Sequence, residues 1–240
     1  MSVSLSPQQR RLLAYSIPVL AVLAALVFGA IMLILLGADP IEGYIEMFVG
    51  AFGSVDALIS TVLKATPLLF VGVGIVIAFR ANVINIGGEG QIIAGALLST
   101  TVALIIPGTP RILLVPIVLL AGAIGGGLWG AIPGALKAYA GVNEILSTIM
   151  MNIVAAQLLS FLLQDLLIEK GAGAIKIQQT ERLDPNSHLP ILPGGTRLHL
   201  GVIVAILVAV LGYFLLFRSA LGMRLRAVGH NPDASKYAGM

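Results

Sequence analysis

Within ten residues the chain places Asn82, Asn85, Glu89 and Gln91, interleaved with Gly87, Gly88 and Gly90. Apolar stretches of spanning or near-spanning length flank this segment on both sides. Carboxamides and a carboxylate offer hydrogen-bond donors and acceptors, whereas the hydrocarbon of a bilayer offers none. Such a segment is either a short turn at the aqueous face or a break at membrane depth whose polar groups line a cavity. In the second case Asn85, Glu89 and Gln91 are candidates for hydrogen-bonding a polar solute. A second polar set, Glu144, Thr148 and Asn152, recurs every four residues and therefore shares one face of a helix. A polar stripe in an apolar spanning segment faces a neighbouring helix or a solute pathway rather than lipid.

Both sets suit binding better than bond-making. His188, His199 and His230 all lie in polar connectors or in the tail, so no imidazole sits in an apolar segment. Neither a metal-ligand spacing nor a Ser–His pair is visible, so no catalytic residue, cofactor or metal is expected. The chain has no cysteine, and hence no disulfide framework or thiolate site. A run of bases interleaved with aromatics is also lacking, which argues against nucleic acid as a partner.

The elements that must position these groups are membrane spans. Of the 240 residues, 58% are hydrophobic and 10% charged, with a mean hydropathy of +1.02. Ordinary soluble domains are about 25% charged. Apolar runs near twenty residues long make the fold all-α and polytopic rather than a barrel of short strands. Residues 12–36, 57–79, 91–106, 111–137, 144–168 and 200–217 read as six spans within one membrane domain, with a helix break between the second and third. The first apolar run is too long for a cleaved signal peptide. Residues 37–56 carry Asp39, Glu42, Glu46 and Asp56 and no base, with Ile41, Tyr44, Ile45, Phe48 and Val49 as an interfacial stripe. Arg10, Arg11, Arg80, Lys137, Arg218, Arg224, Arg226 and Lys236 put both termini in the cytoplasm and residues 169–200 outside. Lys64, about two turns into the second span, can snorkel to the outer interface.

Gly122, Gly126, Gly130 and Gly134 stand at strict four-residue spacing, with Gly125 and Gly127 beside them. That small-residue face predicts close packing against another helix. It is not a nucleotide loop, since no Gly-Lys-Ser/Thr follows. In the tail, Asn231 is a good N-cap, Pro232 suits the first helical position and Asp233 complements the positive helix end. A short helix is predicted to start at Pro232 and run through Tyr237 to Ala238, with Gly229 allowing the sharp entry into it.

Four stretches together carry a family resemblance. Phe79-Arg80-Ala81-Asn82, Asn85-Ile86-Gly87-Gly88-Glu89-Gly90-Gln91 with Gly95-Ala96, Gly141-Val142-Asn143-Glu144-Ile145-Leu146 and the segment 222–229 agree in order and spacing. They resemble the bacterial ABC importer permeases that serve ribose, other simple sugars, nucleosides and branched-chain amino acids, the nucleoside and simple-sugar branch above all. The resemblance covers roughly residues 66–240. It implies a permease of the bacterial or archaeal cell membrane, working with a second permease subunit, like or unlike. It further implies a cytoplasmic ATP-binding subunit that alone binds ATP, and an extracytoplasmic solute-binding protein. Arg224, Arg226, Gly229, His230, Asn231, Pro232 and Tyr237 would then form the segment that docks on the ATPase. An alternative for that segment is a basic anchor on anionic membrane lipid. Permeases of this group continue past the position of Met240, so the resemblance implies a C-terminally shortened chain. The competing reading is an ion-coupled carrier using Glu89, Glu144 or Asp165.

Overall fold

The computed structural model describes residues 7–165, 167, 179–193 and 197–239, with side chains from residue 16 onward except at 165. Among these residues the regular structure is helical, apart from one isolated antiparallel bridge between Ile191 and His199. Six helices are long and apolar enough to cross a membrane, and the protein is a multi-pass membrane protein. The first is α1, Pro7–Leu35, of which residues 16–35 form the apolar span. The others are α3 (Val55–Arg80), α4 (Gly88–Ile105), α5 (Arg111–Ala140), α6 (Glu144–Asp165) and α7 (Gly201–Arg218). Three shorter α-helices, α2 (Pro40–Phe52), α8 (Ala220–His230) and α9 (Pro232–Tyr237), and a 3-10 turn at Pro185–Ser187 complete the described set.

The chain divides into two compact units, residues 1–62 and 63–240. In the first, Asp39 caps α2 by accepting from the backbone N–H groups of Ile41 and Glu42, ahead of Pro40 at the first helical position. Such a cap satisfies donors that a helix start would otherwise leave unpaired. The Tyr44 hydroxyl donates to the Leu26 carbonyl, joining α2 to α1. Thr61 Oγ1 donates to the Ala51 carbonyl at 2.9 Å.

In the second unit, α4, α5 and α6 pack together. Leu114, fully buried, forms a small core with Ala103 and Val118, and Leu183 of the α6–α7 connector packs on it. Most other large apolar side chains on these helices are exposed, as a lipid-facing surface requires. The boundaries differ from the sequence reading in two places. Helix α4 starts at Gly88 rather than 91, because Asn85 and the α6 stripe satisfy its first turn, as described below. Helix α5 runs to Ala140 rather than 137, until Gly141 at φ +64° closes it in a left-handed cap, its N–H bonding Lys137 O at 3.2 Å. Residues 168–178 and 194–196 of the predicted outer connector lie outside the described residues, as does the Asp165 side chain.

Candidate functional site: a broken helix pair beside a glycine-walled cavity

The break between α3 and α4 is built from backbone hydrogen bonds that α6 completes. Helix α3 closes where Asn82 adopts φ +57°, a left-handed conformation that Asn tolerates better than most residues. Asn82 N–H then reaches Phe79 O and Val83 N–H reaches Ala78 O, both at 3.0 Å. This is a Schellman closure with Asn in the glycine position. Further on, Asn85 Oδ1 accepts from Gly87 N–H at 2.8 Å and turns the chain into α4.

Thr148 and Asn152 hold the rest of the segment. Asn152 Oδ1 accepts from Gly90 N–H at 2.8 Å, and its Nδ2 donates to Ile86 O at 3.0 Å. Thr148 Oγ1 lies 3.4 Å from Ile86 N–H and donates to Glu144 O at 2.7 Å. Thr148 is only 3% exposed. Glu144 forms an ion pair with Lys137 at 2.7 Å, fastening the α5–α6 turn. The polar stripe on α6 therefore serves a neighbouring backbone: it supplies partners for donors and acceptors at the start of α4 that no intrahelical bond can reach. Glycines make the approach possible. A Cβ on Gly90 would fall 2.9 Å from Asn152 Oδ1 and 3.0 Å from Trp129 Nε1, and one on Gly87 would fall 3.2 Å from Thr148 Cβ. Trp129 in turn donates to Met151 O at 3.3 Å.

The glycine face of α5 meets α4 at backbone distance. A Cβ on Gly95 would come within 2.8 Å of Gly122 O, one on Gly126 within 3.0 Å of Gln91 O, and one on Gly130 within 2.9 Å of Gln91 Nε2. Gly125, off the four-residue register, belongs to the same contact, with Ala94 O 2.8 Å from its would-be Cβ. Gly134 departs from expectation. Nothing lies within 4 Å of a Cβ placed there. The helices run antiparallel, so Gly134 falls level with the segment before Gly88, where α4 has ended.

Between α3, α4 and α5 lies a cavity of about 610 Å³. Its polar groups are Asn85, Gln91 and Ser99; Phe70 and Ile75 stand on its α3 side, and Gly122, Gly126 and Gly127 line it from α5. No charged residue lines it. Of the six residues predicted to form a pathway, Asn85 and Gln91 reach this cavity. Glu144, Thr148 and Asn152 sit behind the broken segment, and Glu89 is exposed in the first turn of α4. Ser99 was missed by sequence reasoning, although its place two turns after Gln91 on the same helix was a usable signal.

A second cavity, of about 450 Å³, shares Ser99, Val118 and Leu119 with the first and adds His188, Arg197 and His199. The connector beside it is shaped by Asp184, which accepts from Asn186 N–H at 2.8 Å and Gly108 N–H at 2.9 Å. Those two bonds, from Asn186 first and Gly108 second, hold its carboxyl below the usual aspartate range.

At the Arg80 end, α7 turns sharply into α8. Ser219 accepts from Gly222 N–H at 3.0 Å and donates to Leu215 O. The turn demands glycine at 222, where a Cβ would sit 2.0 Å from Leu215 O. Helix α8 was not anticipated as a separate element. As expected, α9 begins at Pro232, with Asn231 Oδ1 capping Ala234 N–H at 3.0 Å. The expected role of Gly229 does not hold. It lies inside α8 without a positive φ, and the change of direction occurs at Asn231, in extended geometry. Glycine is needed at 229 because a Cβ would fall 2.2 Å from Arg80 O. The tail helix thus touches the broken segment directly. Arg224, His230, Asn231, Pro232 and Tyr237 are exposed, Tyr237 at 95%, whereas Arg226 is half-buried.

Residues 57–240 match the family model described as branched-chain amino acid transport system / permease component. The guanosine ABC transporter permease protein of Bacillus subtilis is 36% identical over 231 residues, 96% of this chain and 66% of that protein. The glucose ABC transporter permease protein of Haloferax volcanii is 35% identical over 254 residues, covering 100% of this chain and 66% of its own length. The nucleoside ABC transporter permease protein NupB of Lactococcus lactis is 31% identical over 229 residues, 93% of this chain and 63% of that one. The chain spans just under two thirds of the length of these relatives. No solved structure matches it significantly.

Proposed function

Since the chain belongs to the family of branched-chain amino acid transport system permease components, we propose that it is the membrane-spanning subunit of an ATP-driven importer of a nucleoside or simple sugar. The observation that carries the substrate class is the uncharged cavity of about 610 Å³ beside the broken segment. Its size suits a small molecule. Asn85, Gln91 and Ser99 can exchange hydrogen bonds with hydroxyls, while Phe70 and the aliphatic wall accept the flat or apolar face of a ring. A zwitterionic amino acid would leave both its charges without a partner there, at a large desolvation cost. The names of the guanosine, glucose and nucleoside relatives support the same class.

In this reading ATP is bound and hydrolysed by a separate cytoplasmic subunit. A second permease subunit and an extracytoplasmic solute-binding protein complete the assembly, which sits in the cell membrane with the N-terminus of this chain inside. Helices α8 and α9 form the docking segment, presenting Tyr237 and the exposed bases to the ATPase. Contact of Gly229 with Arg80 then connects that segment to the turn carrying Asn85. The ion-coupled carrier is the weaker reading. Neither Glu89 nor Glu144 lines the cavity, and Glu144 is neutralised by Lys137.

The test is uptake of labelled guanosine or glucose by cells producing the chain with its ATP-binding and solute-binding partners. Uptake should survive an uncoupler and stop when ATP is depleted; collapse with the ion gradient at constant ATP would sink the proposal.

A further inference from the structure

A cavity of about 400 Å³ at the adjoining ends of α3 and α8 carries two cationic side chains whose charge the uncharged solute cavity does not use. Phe79, Arg80, Asn82, Arg226, Gly229 and His230 line it. Arg80 is the last residue of one apolar span, and α8 begins two residues after Arg218, the last residue of another, with Ser219 as its N-cap. By length and composition Arg80 ends an apolar span, which sets the α3 side of the cavity near the boundary between hydrocarbon and headgroups. The guanidinium carbons of Arg80 and Arg226 each stand 5.4 Å from the centre of the Phe217 ring. Two cations are thus held within twice that distance of each other.

Among the described residues neither arginine forms an ion pair. No acidic side chain lines the cavity, and the one ion pair among the described residues is between Lys137 and Glu144. Arg226 uses its Nε on Gly222 O at 3.3 Å, a bond that leaves the two terminal nitrogens of the guanidinium for another acceptor. Stacking on a ring orients a guanidinium but does not neutralise it. The missing component is an anion that can accept from two forks at once, and phosphate oxygens match guanidinium geometry in that way. Asn82 and His230, also in the lining, add further hydrogen-bonding groups. Phe79, 57% exposed on α3, offers an apolar surface beside the charged groups.

We propose that this cavity binds the phosphate of an anionic phospholipid, with Arg80 and Arg226 as the two ligating side chains. The bound headgroup would tie α8 to the end of α3 at the place where Gly229 meets Arg80. This goes beyond the transport reading, and its test requires no transport.

The purified chain in detergent is titrated with dioleoyl phosphatidylglycerol, dioleoyl phosphatidylcholine or inorganic phosphate, and bound species are counted by native mass spectrometry. The expected result is one tightly held phosphatidylglycerol per chain, with phosphatidylcholine much weaker. Exchange of both arginines, Arg80→Gln with Arg226→Gln, should weaken it at least about tenfold, as loss of two charge-assisted hydrogen-bonding groups implies. The double change Arg218→Gln with Arg224→Gln removes the same charge outside the cavity and should leave this lipid bound. Arg226→Lys keeps the charge but removes the fork, and should weaken binding several-fold; it decides the matter if the double variant is not folded. Equal weakening in the two double variants would reduce the site to general attraction by a basic face and overturn the proposal. So would full retention in the cavity double variant or, where that variant is not folded, full retention in Arg226→Lys. Tight binding of inorganic phosphate without phosphatidylglycerol would assign the chemistry to a soluble anion and overturn the lipid assignment.

Discussion

Asn152 spends both ends of its carboxamide on the backbone of the broken segment, at Gly90 and Ile86. Asn152→Leu would leave an N–H and a carbonyl without partners, at about 1–3 kcal/mol for each group that stays dry. The thermal midpoint of the detergent-purified protein should fall accordingly. Uptake should fall further than the amount of membrane-inserted protein, because the misplaced segment carries Asn85. Equal losses of both would mean that Asn152 only holds helices together. Asn85→Ala and Gln91→Ala should act differently, lowering uptake mainly through a raised KM if their side chains meet the solute. Glu89→Ala should stay within about twofold of the parent, as exposed substitutions usually do. Sequence alone identified these polar residues but could not separate their roles. Asn85 and Asn152 are the same residue type, and which one faces a cavity depends on where unpaired backbone groups end up after folding.

At the scale of elements, the α4–α5 contact was legible because glycine at every fourth position is one face of a helix whatever lies opposite. Its extent was not legible, since the end of the partner helix decides which glycines are covered. Gly126→Leu should therefore reduce inserted, folded protein strongly, by the 1–3 kcal/mol or more that overpacking costs. Gly134→Leu, with open space around it, should be tolerated. A comparable loss in both variants would show that the glycine stripe extends beyond α4, against the geometry. The tail makes the same point. Asn231-Pro232-Asp233 announces a helix start through local chemistry alone, and α9 begins there. Gly229 looked like a turn residue because a turn glycine and a close-contact glycine are indistinguishable in sequence. Gly229→Ala forces Arg80 O or α8 to move, so it should disturb solute-stimulated ATPase activity while Tyr237→Ala, far out on the surface, weakens ATPase binding at unchanged thermal stability. ATPase stimulation that is normal in Gly229→Ala would remove the proposed connection between tail and break.

For the whole molecule, orientation follows from which ends of the spans share a side of the membrane. Arg80 closes α3, Lys137 lies in the last turn of α5 and Arg218 closes α7. These bases mark one common end: Arg80 meets Gly229 beyond α7, and Lys137 pairs with Glu144 at the turn where Thr148 approaches Ile86. Asp184 and its partner Gly108 lie at the other ends, in the connectors after α6 and α4. Short connectors rich in Lys and Arg stay in the cytoplasm, so the Arg80 end should be inside and the Asp184 end outside. Because the chain has no cysteine, single Glu181→Cys and Tyr237→Cys variants provide clean probes at two exposed positions. A membrane-impermeant maleimide should label Glu181→Cys in intact cells and Tyr237→Cys only after permeabilisation. The reverse pattern would place α8 and α9 outside, where no ATP-binding subunit could reach them, and the importer reading would fall with the topology.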